Sequence, residues 1–212
     1  MDSYWEERYR EEGKIWGDTP SVTARYACQH FLSKGVESVF IPGIGYGRNA
    51  RAFLAKGMAV SGIEVSGEAV NILRHELPEV NCSQGSVLDQ PFGGPYDAIY
   101  CFNVLHLFRA GDRQAFLQKC SDSLADGGLA FFTVFSEKEP SFGKGAEVEP
   151  GTFESKPGRP VHYYTDEDLR SRFGGWTVLE SGLMEDPEDH GAEGPHVHVL
   201  QYILAQKPCK SI

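Results

Sequence analysis

The sequence predicts an α/β fold, with a mostly parallel β-sheet, helices on both of its faces, and an antiparallel hairpin near the C-terminus. Two observations predict it. Between residues 36 and 135, short apolar stretches alternate with helical patterns, which is typical of parallel strands joined by helices. Two longer strand-like stretches, 176–184 and 196–206, then follow one another with no helical pattern between them, so they are expected to pair antiparallel.

A helix is predicted ahead of the sheet, from a cap at Ser21 to about Lys34, because apolar residues recur on one face of that stretch. The sheet region then alternates between short apolar runs and amphipathic runs. We predict strands at 38–42, 58–63, 79–84, 96–101 and 127–135, and helices at 48–56, 66–77 and 112–124.

Side chains suited to capping mark the starts of the later helices. Ser66 and Asp112 can accept the free amides of a first helical turn. Either Thr165 or Asp166 can begin a further short helix ahead of the hairpin. The acidic, glycine-bearing stretch 185–195 is predicted to be the loop of that hairpin.

The length of 212 residues suits one domain, which we divide into four segments. The stretch 136–164 shows neither helical nor strand periodicity, and it is longer than a simple connection in a compact domain. It is therefore predicted to be a substrate-side loop that acts as a lid. The segments are an N-terminal helical cap (1–35), a core (36–135), the substrate-side loop (136–164), and a C-terminal helix and hairpin (165–212).

Composition narrows the possible partners and location. A net charge of −10 argues against a nucleic-acid partner, because phosphate binding needs clustered Lys and Arg. No apolar run approaches the roughly 20 residues that cross a bilayer, and the charged N-terminus lacks a secretion segment, so a cytoplasmic protein without a membrane partner is expected. Five cysteines without a close pair argue against zinc and a disulfide framework. A small-molecule partner is expected, and the oligomeric state is left open.

A run of glycines follows the first predicted strand and ends with a helical pattern. Gly43, Gly45 and Gly47 stand at every second position, where the backbone can turn tightly and approach a ligand. The next strand ends in Glu64, at the position where nucleotide-binding sheets bind ribose hydroxyls. A dinucleotide fold requires Gly-x-Gly-x-x-Gly, but Arg48 stands at the sixth position here.

This every-second-residue pattern resembles motif I of the class I S-adenosylmethionine-dependent methyltransferases. The resemblance extends over residues 36–135, and it includes the stretches 85–92 and 96–106 and the turn at 126–128. It implies a Rossmann-like seven-stranded methyltransferase sheet, with S-adenosylmethionine as cofactor and S-adenosylhomocysteine as product. Within the class, residues 47–50 and the Trp-rich N-terminus are similar to the small tellurite-resistance and thiopurine-type methyltransferases.

The resemblance implies which residues bind the cofactor. The glycine loop would pass under its methionine part, and N-terminal aromatic residues would cover that part, since a sulfonium is attracted to an aromatic face. The same aromatic residues could instead fix the N-terminal helix to the sheet. The cofactor-binding residues are predicted to be Tyr9, Trp16, Gly43, Gly45, Gly47, Glu64, Val65, Ser86, Val87, Leu88, Phe102 and Asn103.

Two positions depart from the family pattern. Ile41 stands where the family usually has an acid, two residues before the first glycine, and Ser86 stands where an acid often binds the adenine amine. Each missing polar anchor is worth about 0.5–1.5 kcal/mol. A non-catalytic cofactor-binding module therefore remains an alternative.

Candidate groups for the methyl acceptor lie mainly outside the shared core. A hydroxyl or amine acceptor needs a general base, for which His106 or His196 is the candidate, although His106 equally suits a core position. A thiolate or chalcogen oxyanion needs no strong base. The acceptor, expected to be anionic or a thiol, is predicted to bind through Arg159, His162, His196 and His198.

The same hairpin also carries residues of the types that bind metals. His190, His196 and His198 lie near several acids, and alternation places the last two on one strand face. The pattern lacks a dedicated ligand spacing, so no metal is predicted. The preferred function is therefore methyl transfer from S-adenosylmethionine to a thiol, a chalcogen oxyanion or another small metabolite, and an NAD-type oxidoreductase is the remaining alternative, opposed by Arg48.

Overall fold

The computed structural model describes residues 2–190 and 194–209. Its helices are α1 Asp2–Glu12, α2 Val22–Ser33, α3 Ala50–Leu54, α4 Gly67–Glu76, α5 Ala110–Ser123 and α6 Asp166–Arg172. Its strands are β1 Ser38–Pro42, β2 Ala59–Glu64, β3 Asn81–Gln84, β4 Tyr96–Phe102, β5 Leu124–Phe135, β6 Ala146–Glu149, β7 Thr152–Lys156, β8 Arg159–His162, β9 Thr177–His190 and β10 Gly194–Gln206. None of the helices in these ranges is both long and apolar enough to span a bilayer.

Seven strands form the main sheet in the order β3-β2-β1-β4-β5-β10-β9. The first five are parallel to one another, whereas β10 runs antiparallel to both β5 and β9. The predicted fold class is therefore confirmed. The strand order reverses between β1 and β4, and open α/β sheets bind ligands beyond the carboxyl ends of the strands at such a point.

Apolar side chains alternate between the two faces of the central strands, so each face has its own core. On β1, Val39 and Ile41 pack with α2, α3 and α4, while Phe40 packs on the opposite face with α5 and α6. On β4, Tyr100 packs on the same face as Val39 and Ile41, and Ile99 packs on the same face as Phe40. Helices on both faces follow directly from this alternation.

Three of the predicted helix starts are confirmed by their cap hydrogen bonds. The side chains of Ser21, Ser66 and Thr165 each accept an amide of the first turn. The cap predicted at Asp112 is wrong, because α5 begins at Ala110 and Asp112 lies within its first turn. An acid at this position still interacts favourably with the positive end of the helix dipole.

Two stretches predicted to be loops contain strands. The segment 136–164 folds into a separate antiparallel sheet, β6-β7-β8, which we call the outer sheet. Phe142, Phe153 and Tyr163 pack on one another there, with ring centroids 5.4–6.0 Å apart. The stretch 185–195 belongs to β9 as far as His190 and to β10 from Gly194, and residues 191–193 lie outside the described ranges.

Candidate active site

A cavity of about 340 Å³ lies beyond the carboxyl ends of β1, β2 and β4. This volume is within the range of about 300–1,000 Å³ that is usual for small-molecule sites. The glycine loop (residues 43–47) and the end of β4 form its base. Helix α1 and the outer sheet cover it, and the β9–β10 hairpin closes one side.

The glycine loop approaches the cavity with positive φ angles of 67° at Gly43 and 59° at Gly45. A Cβ at Gly43 would lie 2.7 Å from Val104 Cγ2, and one at Gly45 would lie 2.9 Å from the Tyr9 hydroxyl. Both positions therefore need glycine for conformation and for space. Gly47 differs from its predicted role, because it packs against Leu77 of the α4 end rather than lining the cavity.

Glu64 is only 5 % exposed and joins the glycine loop to the start of α4. Its Oε2 accepts the Gly45 N–H at 2.9 Å, and its Oε1 accepts the Ser66 N–H at 2.9 Å. Burial raises the pKa of the Glu64 carboxyl. Each carboxylate oxygen keeps a further lone pair, so together they can accept hydrogen bonds from a diol in the cavity. Val65 lines the cavity beside it.

The far end of the cavity is formed by the turn after β3. Gly85 lines it together with Ser86 and Val87, two of the predicted cofactor-binding residues. Ser86 Oγ accepts the Leu88 N–H at 3.2 Å, which leaves the hydroxyl hydrogen free to be donated to a ligand. The predicted contact of Leu88 itself is not observed, because its side chain packs against the core beneath α5.

The end of β4 carries a residue in an unusual conformation. Asn103 has a φ of 55°, the left-handed region, and it lines the cavity next to Phe102. Thr133 of the neighbouring strand holds it in place, since its Oγ1 donates to Asn103 Oδ1 at 2.9 Å and its carbonyl accepts the Asn103 N–H at 3.1 Å. Such conformations of non-glycine residues concentrate at functional sites.

His106 is buried beside the cavity, with its ring stacked on Phe135 at 4.3 Å between centroids. Its Nδ1 accepts the Phe135 N–H at 3.2 Å, so in the neutral ring Nε2 carries the hydrogen. Burial lowers the pKa of His106 to about 3. This geometry contradicts the predicted general base, because the one acceptor nitrogen is already used. His106 can instead donate a hydrogen bond from Nε2.

Aromatic residues of α1 and the following turn cover the cavity. Tyr9 and Trp16, two of the predicted cofactor-binding residues, both line it. Trp16 also stacks on Tyr46 of the glycine loop with a 9° angle between the rings. Glu6 fixes α1 to α4, because its Oε2 accepts the Ser66 hydroxyl at 2.8 Å. This hydrogen bond lowers the pKa of Glu6.

Two of the predicted acceptor-binding residues line the cavity and two do not. Arg159 lines it from the outer sheet, with its Cζ 3.6 Å from the ring centroid of Tyr4 in α1, and His198 lines it from β10. His196 lies behind His198, with their Nε2 atoms 3.3 Å apart. His162 was predicted wrongly, because its two ring nitrogens contact Thr152 Oγ1 at 2.8 Å and Asp168 Oδ2 at 2.7 Å within the protein.

Two arginines that line the cavity, Arg8 and Arg48, were not among the predicted site residues. Arg8 of α1 lies over the Trp16 ring, with its Cζ 5.4 Å from the centroid. Arg48 donates from Nη2 to Glu188 Oε1 at 2.8 Å, and this ion pair is almost fully buried. Arg48 directly follows the glycine loop, so its position alone was a signal that its side chain would enter the site.

Comparisons with known proteins agree with this architecture. A family model described as "Methyltransferase domain" matches residues 39–128. A search of curated proteins finds no match. A solved structure of 1,6-didemethyltoxoflavin-N1-methyltransferase from Burkholderia thailandensis, with bound 1,6-didemethyltoxoflavin and S-adenosylhomocysteine, is 18% identical, with a TM-score of 0.72 over 98% of this chain and 87% of that one.

Two further solved structures are similar. Magnesium protoporphyrin IX methyltransferase from Synechocystis PCC 6803, with bound S-adenosylmethionine, is 14% identical over 97% of this chain and 94% of that one, with a TM-score of 0.69. TehB from Haemophilus influenzae is 14% identical over 96% and 67% of the two chains, with a TM-score of 0.67. Residues 39–128 thus match a methyltransferase-domain model, and the chain as a whole has the fold of these solved methyltransferases.

Proposed function

We propose that this protein transfers the methyl group of S-adenosylmethionine to a small-molecule acceptor. The observation that carries the proposal is the buried Glu64 carboxylate, held by the Gly45 and Ser66 amides at the base of the cavity. A buried carboxylate that is fixed by two amides and still has free lone pairs suits a ribose diol.

The rest of the cavity fits the other parts of this cofactor. The turn at Ser86 and Val87 offers a hydroxyl donor and an apolar surface to adenine. Gly43 and Gly45 leave room for the methionine part directly above the backbone. Tyr9 and Trp16 line the same cavity, and an aromatic face turned toward the sulfonium would attract it by about 0.5–2 kcal/mol.

Methyl transfer needs orientation more than acid or base chemistry, because the sulfonium is already an activated leaving group. Holding the acceptor atom, methyl carbon and sulfur in line can supply about 7–11 kcal/mol. The acceptor would lie between Arg159 and His198, on the side of the cavity opposite Ser86. Arg159 could bind an oxyanion through two parallel hydrogen bonds.

Several observations support a small acceptor rather than a polymer. The Tyr4–Arg159 contact closes α1 against the outer sheet over the cavity. The net charge of −10 opposes nucleic acid. The four buried free thiols, Cys28, Cys82, Cys101 and Cys120, fit the reducing cytoplasm. We therefore propose a cytoplasmic enzyme for a thiol, an oxyanion or another small metabolite.

Isothermal titration with S-adenosylmethionine, S-adenosylhomocysteine and NAD tests the cofactor. Binding of the first two and not of NAD is the expected result, and binding of NAD alone would favour the oxidoreductase. A methyl-release assay across thiols, oxyanions, hydroxyls and amines then tests catalysis. Cofactor binding without transfer to any of them would support a non-catalytic module.

A further inference from the structure

The β9–β10 hairpin brings three histidines together on the side of the cavity where the acceptor is proposed to lie. Directly opposed residues of antiparallel strands share a face. In this register His196 lies opposite Glu188, His198 opposite Asp186, and Gly194 opposite His190. His190, His196 and His198 can each offer one nitrogen such that all three lie within 4.8 Å of one another.

Two of these rings are held so that Nε2 is available as a ligand. His196 Nδ1 lies 2.7 Å from the Gly194 carbonyl oxygen, and His198 Nδ1 lies 2.8 Å from Glu139 Oε1. Both partners can only accept, so each Nδ1 carries a hydrogen and each neutral ring has its lone pair on Nε2. Metal-binding histidines usually donate their outer N–H to a carbonyl or carboxylate in this way.

The spacing of the two Nε2 atoms also suits a metal. They lie 3.3 Å apart, although two lone pairs cannot form a hydrogen bond with each other. Zinc–nitrogen bonds of about 2.0–2.1 Å in a tetrahedron place two ligand nitrogens roughly 3.3–3.4 Å apart. One cation between the rings would therefore satisfy both nitrogens with little movement.

The surrounding charge favours a cation. Asp186 is 1 % exposed, and its Oδ2 has no hydrogen-bond donor within the described ranges. Glu139 holds His198, and Glu188 Oε2 lies 3.0 Å from His190 Nε2. Two guanidiniums are also near, since Arg48 pairs with Glu188 and Arg8 Nη2 lies 3.5 Å from His190 Nδ1. Among the described residues, three carboxylates therefore face two positive side chains.

We propose that His190, His196 and His198 bind one divalent transition-metal ion, with zinc the best match to three imidazoles, at the acceptor side of the cavity. His190 and His198 both line the cavity, so an open coordination position would face the acceptor. This replaces the expectation from the sequence that the protein has no metal. The binding itself is independent of the proposed function, whereas its role in the reaction rests on that function.

The metal would define the acceptor as a hydroxyl or thiol compound. Coordination lowers the pKa of the acceptor O–H or S–H, and its proton leaves to solvent. The freed lone pair then forms a bond to the methyl carbon. The carbon–sulfur bond of the sulfonium breaks, and its electron pair stays on sulfur as a neutral thioether. The metal would thus make a general base unnecessary, a role that His106 cannot take.

The test is titration of chelator-treated protein with Zn²⁺ by calorimetry and with Co²⁺ by visible absorption. We expect one ion per chain and the intense cobalt bands of a tetrahedral site. His196→Ala and His198→Ala should weaken binding by more than the about 10- to 100-fold expected for Glu139→Gln, which alters only an outer partner. His75→Ala, an exposed histidine of α4, is the matched control and should bind like the wild type.

Wild-type protein that takes up neither ion would overturn the proposal, and the 3.3 Å contact would then be a hydrogen bond from a protonated His198 to His196. Equal Co²⁺ binding by wild type and a folded His196→Ala variant would also overturn the proposal. If the alanine variant unfolds, His196→Gln takes its place in the same measurement. Titration of the same samples with S-adenosylhomocysteine separates the two ideas. If the protein binds S-adenosylhomocysteine but no metal ion, only the metal site is refuted. If it binds the metal ion but not S-adenosylhomocysteine, only the proposed function is refuted.

Discussion

Arg48 and Glu188 form a buried ion pair, 2.8 Å between Nη2 and Oε1, that joins the glycine loop to the C-terminal hairpin. Only 10% and 5% of the two side chains is exposed. The loop is the proposed cofactor side of the cavity and the hairpin is the acceptor side. A contact between residues 140 positions apart therefore joins the two sides of the cavity.

Breaking this pair should destabilise the fold. Arg48→Met removes the guanidinium from the buried Glu188 carboxylate and leaves it beside His190 alone, which should lower the free energy of unfolding by about 3–5 kcal/mol. Urea unfolding measures the loss. The double variant Arg48→Met with Glu188→Gln removes the uncompensated charge and should recover part of it. A double variant no more stable than Arg48→Met would show that the charge is not the cause.

Glu64→Gln should weaken S-adenosylhomocysteine binding by about 10- to 100-fold, because a neutral amide replaces the carboxylate that accepts the ribose hydroxyls. Calorimetry measures the affinity, and thermal unfolding shows whether the fold is retained. Glu79→Gln, an exposed acid ahead of β3, is the control and should bind normally. Unchanged affinity in the Glu64 variant would show that the ribose does not lie there.

Comparing Gly45→Ala with Gly57→Ala separates the effect of backbone strain from the effect of contact with α1, the helix that covers the cavity. Gly45 and Gly57 have φ angles of 59° and 79°, so alanine should cost about 1–2 kcal/mol of stability at either position. Only at Gly45 would the added methyl meet another side chain, the Tyr9 hydroxyl at 2.9 Å, since Gly57 has open space around it in the described structure. Gly45→Ala alone should therefore weaken S-adenosylhomocysteine binding. Equal affinity of the two variants in calorimetry would contradict the close approach.

The buried His106 should make the protein sensitive to acid. Its pKa is about 3 in the folded state against an ordinary value of 6.5, so between these values the unfolded chain binds the extra proton. Stability is retained above pH 6.5 and lost as the pH falls, by about 3 kcal/mol at pH 4.

His106→Asn should remove this part of the pH dependence of unfolding by urea, whereas His75→Asn should keep it, because His75 is exposed. Many carboxylates titrate in the same pH range. The quantity to compare is therefore the difference in free energy of unfolding between each variant and the wild type at each pH. An unchanged slope between pH 6.5 and 4 in the His106 variant would show that the ring is accessible to protons.

Local signals in the sequence were sufficient for the sheet and for one side of the cavity. The apolar runs and the caps at Ser21 and Ser66 are set by neighbouring residues, so the elements from β1 to β5 could be placed within a few positions. Glu64 and the glycine loop also meet within one βα unit, where chain connectivity fixes their relative position. The three strands of the outer sheet have only four or five residues each, too few to show a period.

The other side of the cavity depends on contacts between distant segments. His162 could not be distinguished from His198 in the sequence, because only the fold shows that Asp168 holds one and that the other lines the cavity. The partner of Arg48 and the grouping of three histidines depend on the register of β9 with β10. No local pattern records that register.

Ser66 serves two structures at once, since its amide binds Glu64 while its hydroxyl binds Glu6 of α1. The helix that covers the cavity and the carboxylate proposed to hold the ribose therefore share one residue. Equilibria that share a residue are thermodynamically linked, and the linkage is reciprocal. Occupancy of the cavity should slow hydrogen exchange in α1, and loosening α1 through Glu6→Ala should weaken cofactor binding. We therefore expect the first helix to take part in the binding equilibrium, although it lies outside residues 39–128, the range that matches the methyltransferase-domain model.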